Sequence, residues 1–306
     1  MRRKLIKQGA NSATITIPSK WLEKNSLNGG DEIDIEIKEN IVEIRTIGKN
    51  YNEIKSTEIK IESNYTKRVI RNVLNQLYRL SYDEIKLVNM NEKKKEIVEY
   101  IIGKTQLGFE IIEETQTSLT ISSITEPSNE KFDLIFKKLQ FLMNNEIKEV
   151  KTSIETNDFS NMNKREDRSR MIDSYTNFCR RILYKDEKEG ANLQKLLIVG
   201  RISLINHANF RIFKYLKKNK INVDKEIINL YHNVFEYCEF FFETLYKNSI
   251  KRSSEMFDLG EENNEKLLEL IKKVKGENAI ILHYIGEILR QIHIQSSDLL
   301  AINFLN

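Results

Sequence analysis

Residues 1–47 read MRRKLIKQGA NSATITIPSK WLEKNSLNGG DEIDIEIKEN IVEIRTI, and their pattern decides how the chain is organised. The basic run Arg2-Arg3-Lys4-Leu5-Ile6-Lys7-Gln8 stops at Gly9. Ala13-Thr14-Ile15-Thr16-Ile17 then alternates with the period of a half-buried strand, so both stretches read as strands. Pro18 suits the step from strand to helix, because the first helical position needs no backbone N–H donor, and Ser19 offers a capping oxygen. The spacing predicts a short helix over 19–25 with Trp21 and Leu22 as its apolar contacts. Asn28-Gly29-Gly30-Asp31 supplies residues that tolerate positive φ. A hairpin follows: Ile33, Ile35 and Ile37 alternate with Asp34, Glu36 and Lys38, and Glu39-Asn40 turns the chain into Ile41-Val42-Glu43-Ile44-Arg45.

A β-β-α-β-β unit this small exposes too much apolar surface to stand alone, since chains near about 40 residues need disulfides, a metal or a partner. It holds no cysteine, so a second copy of the chain is the economical solution and a homodimer is expected. Lys7-Gln8-Gly9, Thr16-Ile17-Pro18, Leu27, Gly30-Asp31 and the closing hairpin together resemble the AbrB/SpoVT family. That resemblance implies a swapped-hairpin β-barrel in which two subunits interleave, and binding of double-stranded DNA through basic residues on one face. Arg2, Arg3, Lys4, Lys7, Lys20 and Lys24 stand against Glu23 alone, whereas Lys38 alone faces six acids between Asp31 and Glu43. A basic stripe of this kind is the footprint of phosphate contacts, which makes Arg2, Arg3, Lys4, Lys7 and Lys20 the candidate DNA-binding residues. One departure stands out. The family carries basic residues in the helix after the Ile-Pro step, and here that helix reads Trp21-Leu22-Glu23.

At 306 residues the chain has room for two or three domains with sizeable cores. Its net charge is only +4, so an argument for nucleic acid rests on local placement of charge. Cys179 and Cys238 sit in helical patterns and do not build a disulfide framework, which fits a reducing compartment. No apolar run of about eighteen residues and no leader-like apolar region occur, so a cytoplasmic protein without membrane insertion is expected.

After a linker at Gly48-Lys49-Asn50, residues 51–126 read as a small α/β module. Glu58-Ile59-Lys60-Ile61 and Glu84-Ile85-Lys86-Leu87-Val88 are strands, 92–104 is helical, and strands return at 109–112 and 118–121. Val69, Val73 and Leu77 mark the expected inner face of the first helix. Gly103-Lys104-Thr105 has Val98 where a phosphate loop needs its first glycine, and it follows a helix, so a nucleotide hydrolase is set aside.

Pro127 marks a boundary, and 128–306 reads as about six long helices with breaks near 157–163, 186–191, 218–223, 249–254 and Gly276. Ile227, Leu230, Val234, Tyr237, Phe241 and Leu245 form one apolar stripe, and Ile281, Ile285, Ile288 and Ile292 another. The aromatic run Phe235 to Phe242 covers more than one helix face and reads as an interior helix. Stretches 131–216 and 225–306 have similar lengths and three helices each, giving a bundle of two three-helix repeats.

An AbrB-like head joined to such a bundle resembles archaeal phosphate uptake regulators with a PhoU-like helical domain, and Asn206-His207-Ala208 resembles the PhoU helix signature ending in Asp-His-Ala. The fold expected is therefore multidomain α+β: head 1–47, α/β module 51–126, PhoU-like bundle 128–306. The resemblance implies metal clusters held by facing acidic residues, yet Asn206 and Ile294 occupy the two acidic slots. Glu166, Asp167 and Asp173 remain as weak metal candidates, and a solvated helix face is the expected fate of such acids, so no cofactor is assigned. His207, His232, His283 and His293 show no metal-ligand spacing, although His207 could meet Glu166 or Asp167 across the bundle. No nucleophile elbow or Ser/His/acid context points to an enzyme. The sequence is read as a dimeric DNA-binding transcriptional regulator linked to phosphate uptake. Its alternative is a signalling adaptor that contacts a phosphate transporter or sensor kinase without binding DNA.

Overall fold

The computed structural model describes residues 2–9, 12–38, 41–46, 54–125, 128–185, 192–247 and 249–305. The Glu39-Asn40 turn, the Gly48-Lys49-Asn50 linker, Pro127 and the break at 186–191 lie outside the described residues. The chain is mixed α+β and divides into two compact units, Met1–Ile54 and Lys55–Asn306.

In the first unit, β1 (Ile6–Lys7) pairs antiparallel with β2 (Ala13–Thr14) in the register Ile6↔Thr14 and Lys7↔Ala13. These strands are far shorter than the sequence pattern, because a ladder needs a partner and none among the described residues pairs with 2–5 or 15–17. Gly9 takes φ +78° as the chain leaves β1. Helix α1 (Ser19–Lys24) begins at Pro18, whose carbonyl accepts the amides of Trp21 at 2.9 Å and Leu22 at 3.2 Å. The expected Ser19 cap does not form: Pro18 holds the capping position and no side chain bonds the first turn. Asp31 Oδ2 accepts the Asn28 amide at 2.6 Å, closing the turn in which Gly30 adopts φ +103°. The hairpin of β3 (Ile33–Lys38) and β4 (Ile41–Thr46) pairs Ile35 with Ile44 and Ile37 with Val42. Within one chain the unit holds two separate two-stranded sheets and no closed barrel among the described residues.

The second unit starts with β5 (Ser56–Lys60), α2 (Lys67–Arg79), β6 (Glu84–Val88), α3 (Glu92–Thr105), β7 (Phe109–Glu114) and β8 (Ser118–Ser123). Side chains of Thr66 and Asn91 cap α2 and α3. The sheet order is β5-β6-β8-β7, with β5 and β6 parallel and the other pairs antiparallel. Ile85 faces Ile121 and Leu87 faces Leu119 on the buried side, while Lys86 and Glu58 pair at 3.2 Å on the open side. The α2 face differs from expectation: Ile70, Leu74 and Tyr78 are buried, and Val69 is exposed. The helix offers two adjacent apolar rows, and packing on the sheet selects the one advanced by a residue.

Six long helices follow: α4 (Asn129–Thr156), α5 (Met162–Lys185), α6 (Asn192–Asn219), α7 (Lys225–Lys247), α8 (Ile250–Lys273) and α9 (Glu277–Leu305). Consecutive helices pack within α4–α6 and within α7–α9, and the two triplets meet mainly where α6 lies along α9. Ile281, Ile285, Ile288 and Ile292 are fully buried, as are Val234 and Phe241, while Leu245 is half-buried at the rim of the same core. The α/β module is not a detached body. Phe178 and Ile182 of α5 complete its apolar core.

Candidate nucleic-acid interface

Arg2, Arg3, Lys4, Lys7 and Lys20 are all exposed, and none makes an ion pair with a described residue. Arg2, Arg3 and Lys4 precede β1, Lys7 lies in it, and Lys20 is in the first turn of α1. Free cationic heads on a short ladder can reach a phosphate backbone without first giving up an internal partner. The same unit exposes apolar side chains to an unusual degree. No described residue of it is buried, and Ile37 is 80% exposed, Leu5 74% and Val42 61%. Each such side chain stabilises by about 1.5–3 kcal/mol when fully buried, so a lone head forgoes nearly all of its hydrophobic stabilisation. An open groove of about 290 Å³ lies among Ile15, Ile17, Trp21, Val42 and Ile44, with Arg3 at its edge. The sequence pattern identified these residues as strand and helix contacts but did not show that they leave a shared groove.

Residues 6–52 match the MazE family. The matching model is described as antidote-toxin recognition MazE, bacterial antitoxin. The match supports a MazE/AbrB-like N-terminal domain, and it covers every strand of the head together with α1. Neither a curated protein nor a solved structure matched the chain. No helix among the described residues is long and apolar enough to cross a membrane.

The acidic candidates of the helical region are otherwise engaged. Arg170 binds both Glu166 and Asp167, the latter at 3.4 Å. Asp173 receives Ser203 Oγ at 2.9 Å and Asn206 Nδ2 at 3.4 Å on one oxygen, while the other lies 2.8 Å from His207 Nε2. His207 thus meets Asp173 and neither of the partners considered from sequence. Among the described residues no three metal-ligating side chains converge, so these residues do not fit the metal cluster that the PhoU resemblance implies. Asn206 has its own reason to be an amide. It is fully buried and its Nδ2 donates to the Ser169 carbonyl at 3.0 Å, where a carboxylate would set acceptor against acceptor.

The other histidines pair with surface acids: His232 with Glu236, His283 with Glu287 and His293 with Glu261. Cys179 and Cys238 are free and buried, and burial pushes both thiols well above their ordinary range.

Two polar clusters were not foreseen. Arg181 is 1% exposed, with Tyr78 and Phe109 rings beside it, and anchors α5 to the α/β module. Glu146 is fully buried and lies 3.3 Å from Arg165 and 3.1 Å from Arg168.

Proposed function

We propose that the chain is a dimeric DNA-binding transcriptional regulator linked to phosphate uptake, with the head reading DNA and a PhoU-like helical unit sensing or relaying the signal. The observation that carries it is a MazE/AbrB-like segment whose basic side chains are exposed, with no ion pair among the described residues, while its apolar face is uncovered. A second copy supplies the missing cover, and Arg2, Arg3, Lys4, Lys7 and Lys20 contact phosphates. The phosphate link rests on the PhoU-like signature around His207. Retention of duplex by the full-length protein, measured over a salt series, tests the reading. Affinity should fall steeply with salt, and neutralising one contact residue should flatten the log–log slope by about one unit. Absence of salt-dependent retention at low salt overturns it.

The adaptor reading has its own support: Leu134 and Phe141 stand exposed on one face of α4, and the matching family's description names recognition of a toxin. A chain that dimerises and captures a transporter or kinase subunit, yet ignores duplex, would favour it.

A further inference from the structure

The second unit contains a cleft of about 400 Å³, walled by α2 and α3 on one side and by α5 and α6 on the other. That volume lies within the range of about 300–1,000 Å³ found for small-molecule sites. Lys67, Arg71, Arg79, Lys104 and Arg170 face it. Its two carboxylates are already taken, Glu166 by Arg170 and Asp173 by His207, Ser203 and Asn206. Lys67, Arg71, Arg79 and Lys104 make no ion pair among the described residues.

This gathering of charge follows from the sequence of α2. Lys67, Arg71, Asn75 and Arg79 recur every four residues, so they share one stripe beside the buried Ile70, Leu74 and Tyr78. Lys67 and Arg71 repel at that spacing, and although the Lys67 ammonium lies 4.2 Å over the Tyr100 ring, no carboxylate among the described residues pairs with either. Arg79 shows the cost most clearly. Its Nε donates to Asn177 Oδ1 at 2.7 Å, and Asn177 is itself 2% exposed. Burial, with the charge of Arg180, pushes the Arg79 guanidinium down to about 10 against a smaller upward pull from Asp173. A guanidinium that has lost water and gained one amide, with Asp173 offsetting only part of that loss, is an under-compensated cation.

Further donors surround it. Asn75 Oδ1 accepts Thr105 Oγ1 at 3.2 Å, which leaves its NH₂ group free for the cleft. Lys104 ends α3 within the Gly103-Lys104-Thr105 triplet that fits no phosphate loop by spacing, yet the fold brings it opposite Arg170.

We propose that this cleft binds a phosphorylated small molecule, whose phosphoryl oxygens are held by Lys67, Arg71, Arg79 and Lys104. Four cations with no ion pair among the described residues call for a ligand of multiple negative charge, and arginine forks match phosphoryl oxygens two at a time. A cleft walled by two pairs of helices suits a small molecule better than the continuous backbone of a duplex. The assignment deepens the sensing role given to this unit and rests on that reading, but ligand binding is measured without DNA, so the two can fail separately.

The test is calorimetric titration of the full-length protein with ADP, pyrophosphate, inorganic phosphate and citrate at fixed ionic strength. At least one phosphorylated probe should bind saturably and more tightly than citrate, and the exposed-site variants Arg71→Glu and Lys104→Glu should each weaken it by about tenfold or more while melting like the parent. Inorganic phosphate binding as tightly as ADP supports the site and identifies the free ion as its source. No saturable binding up to about 10 mM overturns the proposal, as does citrate binding as tightly as ADP or unchanged affinity in both variants. Loss of duplex retention in the variants, with no probe bound by the parent, would make the face a nucleic-acid surface and overturn it too.

Discussion

The guanidinium of Arg181 lies 2.7 Å from the Asp83 carboxylate and donates from the same buried position to the carbonyls of Tyr82 at 2.6 Å and Tyr78 at 3.1 Å. One α5 side chain therefore closes the polar groups of the turn between α2 and β6, and Ser81 Oγ returns a bond to the Arg181 carbonyl at 2.7 Å. Removing the arginine strands buried acceptors. Arg181→Ala should cost about 3–5 kcal/mol in urea unfolding, and Arg181→Lys should recover little, because an ammonium cannot span three acceptors in a fixed fork. A loss below about 1 kcal/mol would mean the module is held by its apolar contacts alone.

Glu146 gives an unusual acid response. Burial raises its pKa above the ordinary 4.5, although Arg165 and Arg168 pull it down. The folded state then binds that proton more tightly than the unfolded state, so this group adds stability as pH falls through the raised value toward 4.5. Neighbouring Glu149, despite its own desolvation, is held low by Arg168 and Arg165 and loses its contribution only as pH falls through its depressed value. Glu146→Gln removes the first effect and keeps the second. The stability difference between parent and variant, followed by thermal melting, should move in the parent's favour as pH is lowered toward 4.5. A pH-independent difference would show that the arginines keep Glu146 ionised as easily as water does.

Gly260 sits where α8 crosses α9. A Cβ there would fall 2.6 Å from the Tyr237 hydroxyl and against the His293 ring. Gly260→Ala raises helix propensity but overpacks the crossing, and a net loss of about 1–3 kcal/mol is expected from chemical denaturation. A stabilised variant would mean that His293 swings clear at little cost.

Ile37 should report on pairing of the heads. At 80% exposure a charge there costs the isolated unit little, whereas a second copy laid over the hairpin could not bury it. Ile37→Glu is expected to sediment as a monomer and to bind duplex more weakly. Parent-like sedimentation would place the contact elsewhere.

Both thiols should resist modification in the native state and react only when the chain unfolds, since the thiolate is the reactive form and burial disfavours it. Rapid labelling of either without denaturant would indicate local opening of α5 or α7.

Much of the fold could be read from periodicity. Residues 84–88 form the expected strand, and the stripe from Ile281 to Ile292 is buried, because repeated apolar spacing has only one way to face a core. Where two rows competed, as with Val69 and Ile70 on α2, only the sheet decided. Arg181 was not legible because its acceptors include main-chain carbonyls about a hundred residues earlier, which have no sequence signature. The pairing of Asp173 with His207 was hidden for a related reason: the helix phase that brings α5 against α6 is set by packing. The basic residues of the head were plain in the sequence. So in principle was the stripe Lys67, Arg71, Asn75 and Arg79, which the apolar row beside it masked.

If two copies complete the unburied head, the two units have different reaction orders. The helical unit carries its own core within one chain, whereas a head completed by two copies, as proposed, would gain structure with the second power of protomer concentration at high dilution. On the proposed pairing, expression level becomes an input: below the pairing constant the chain would keep its helices without an assembled head, and a modest rise in its amount would complete that surface.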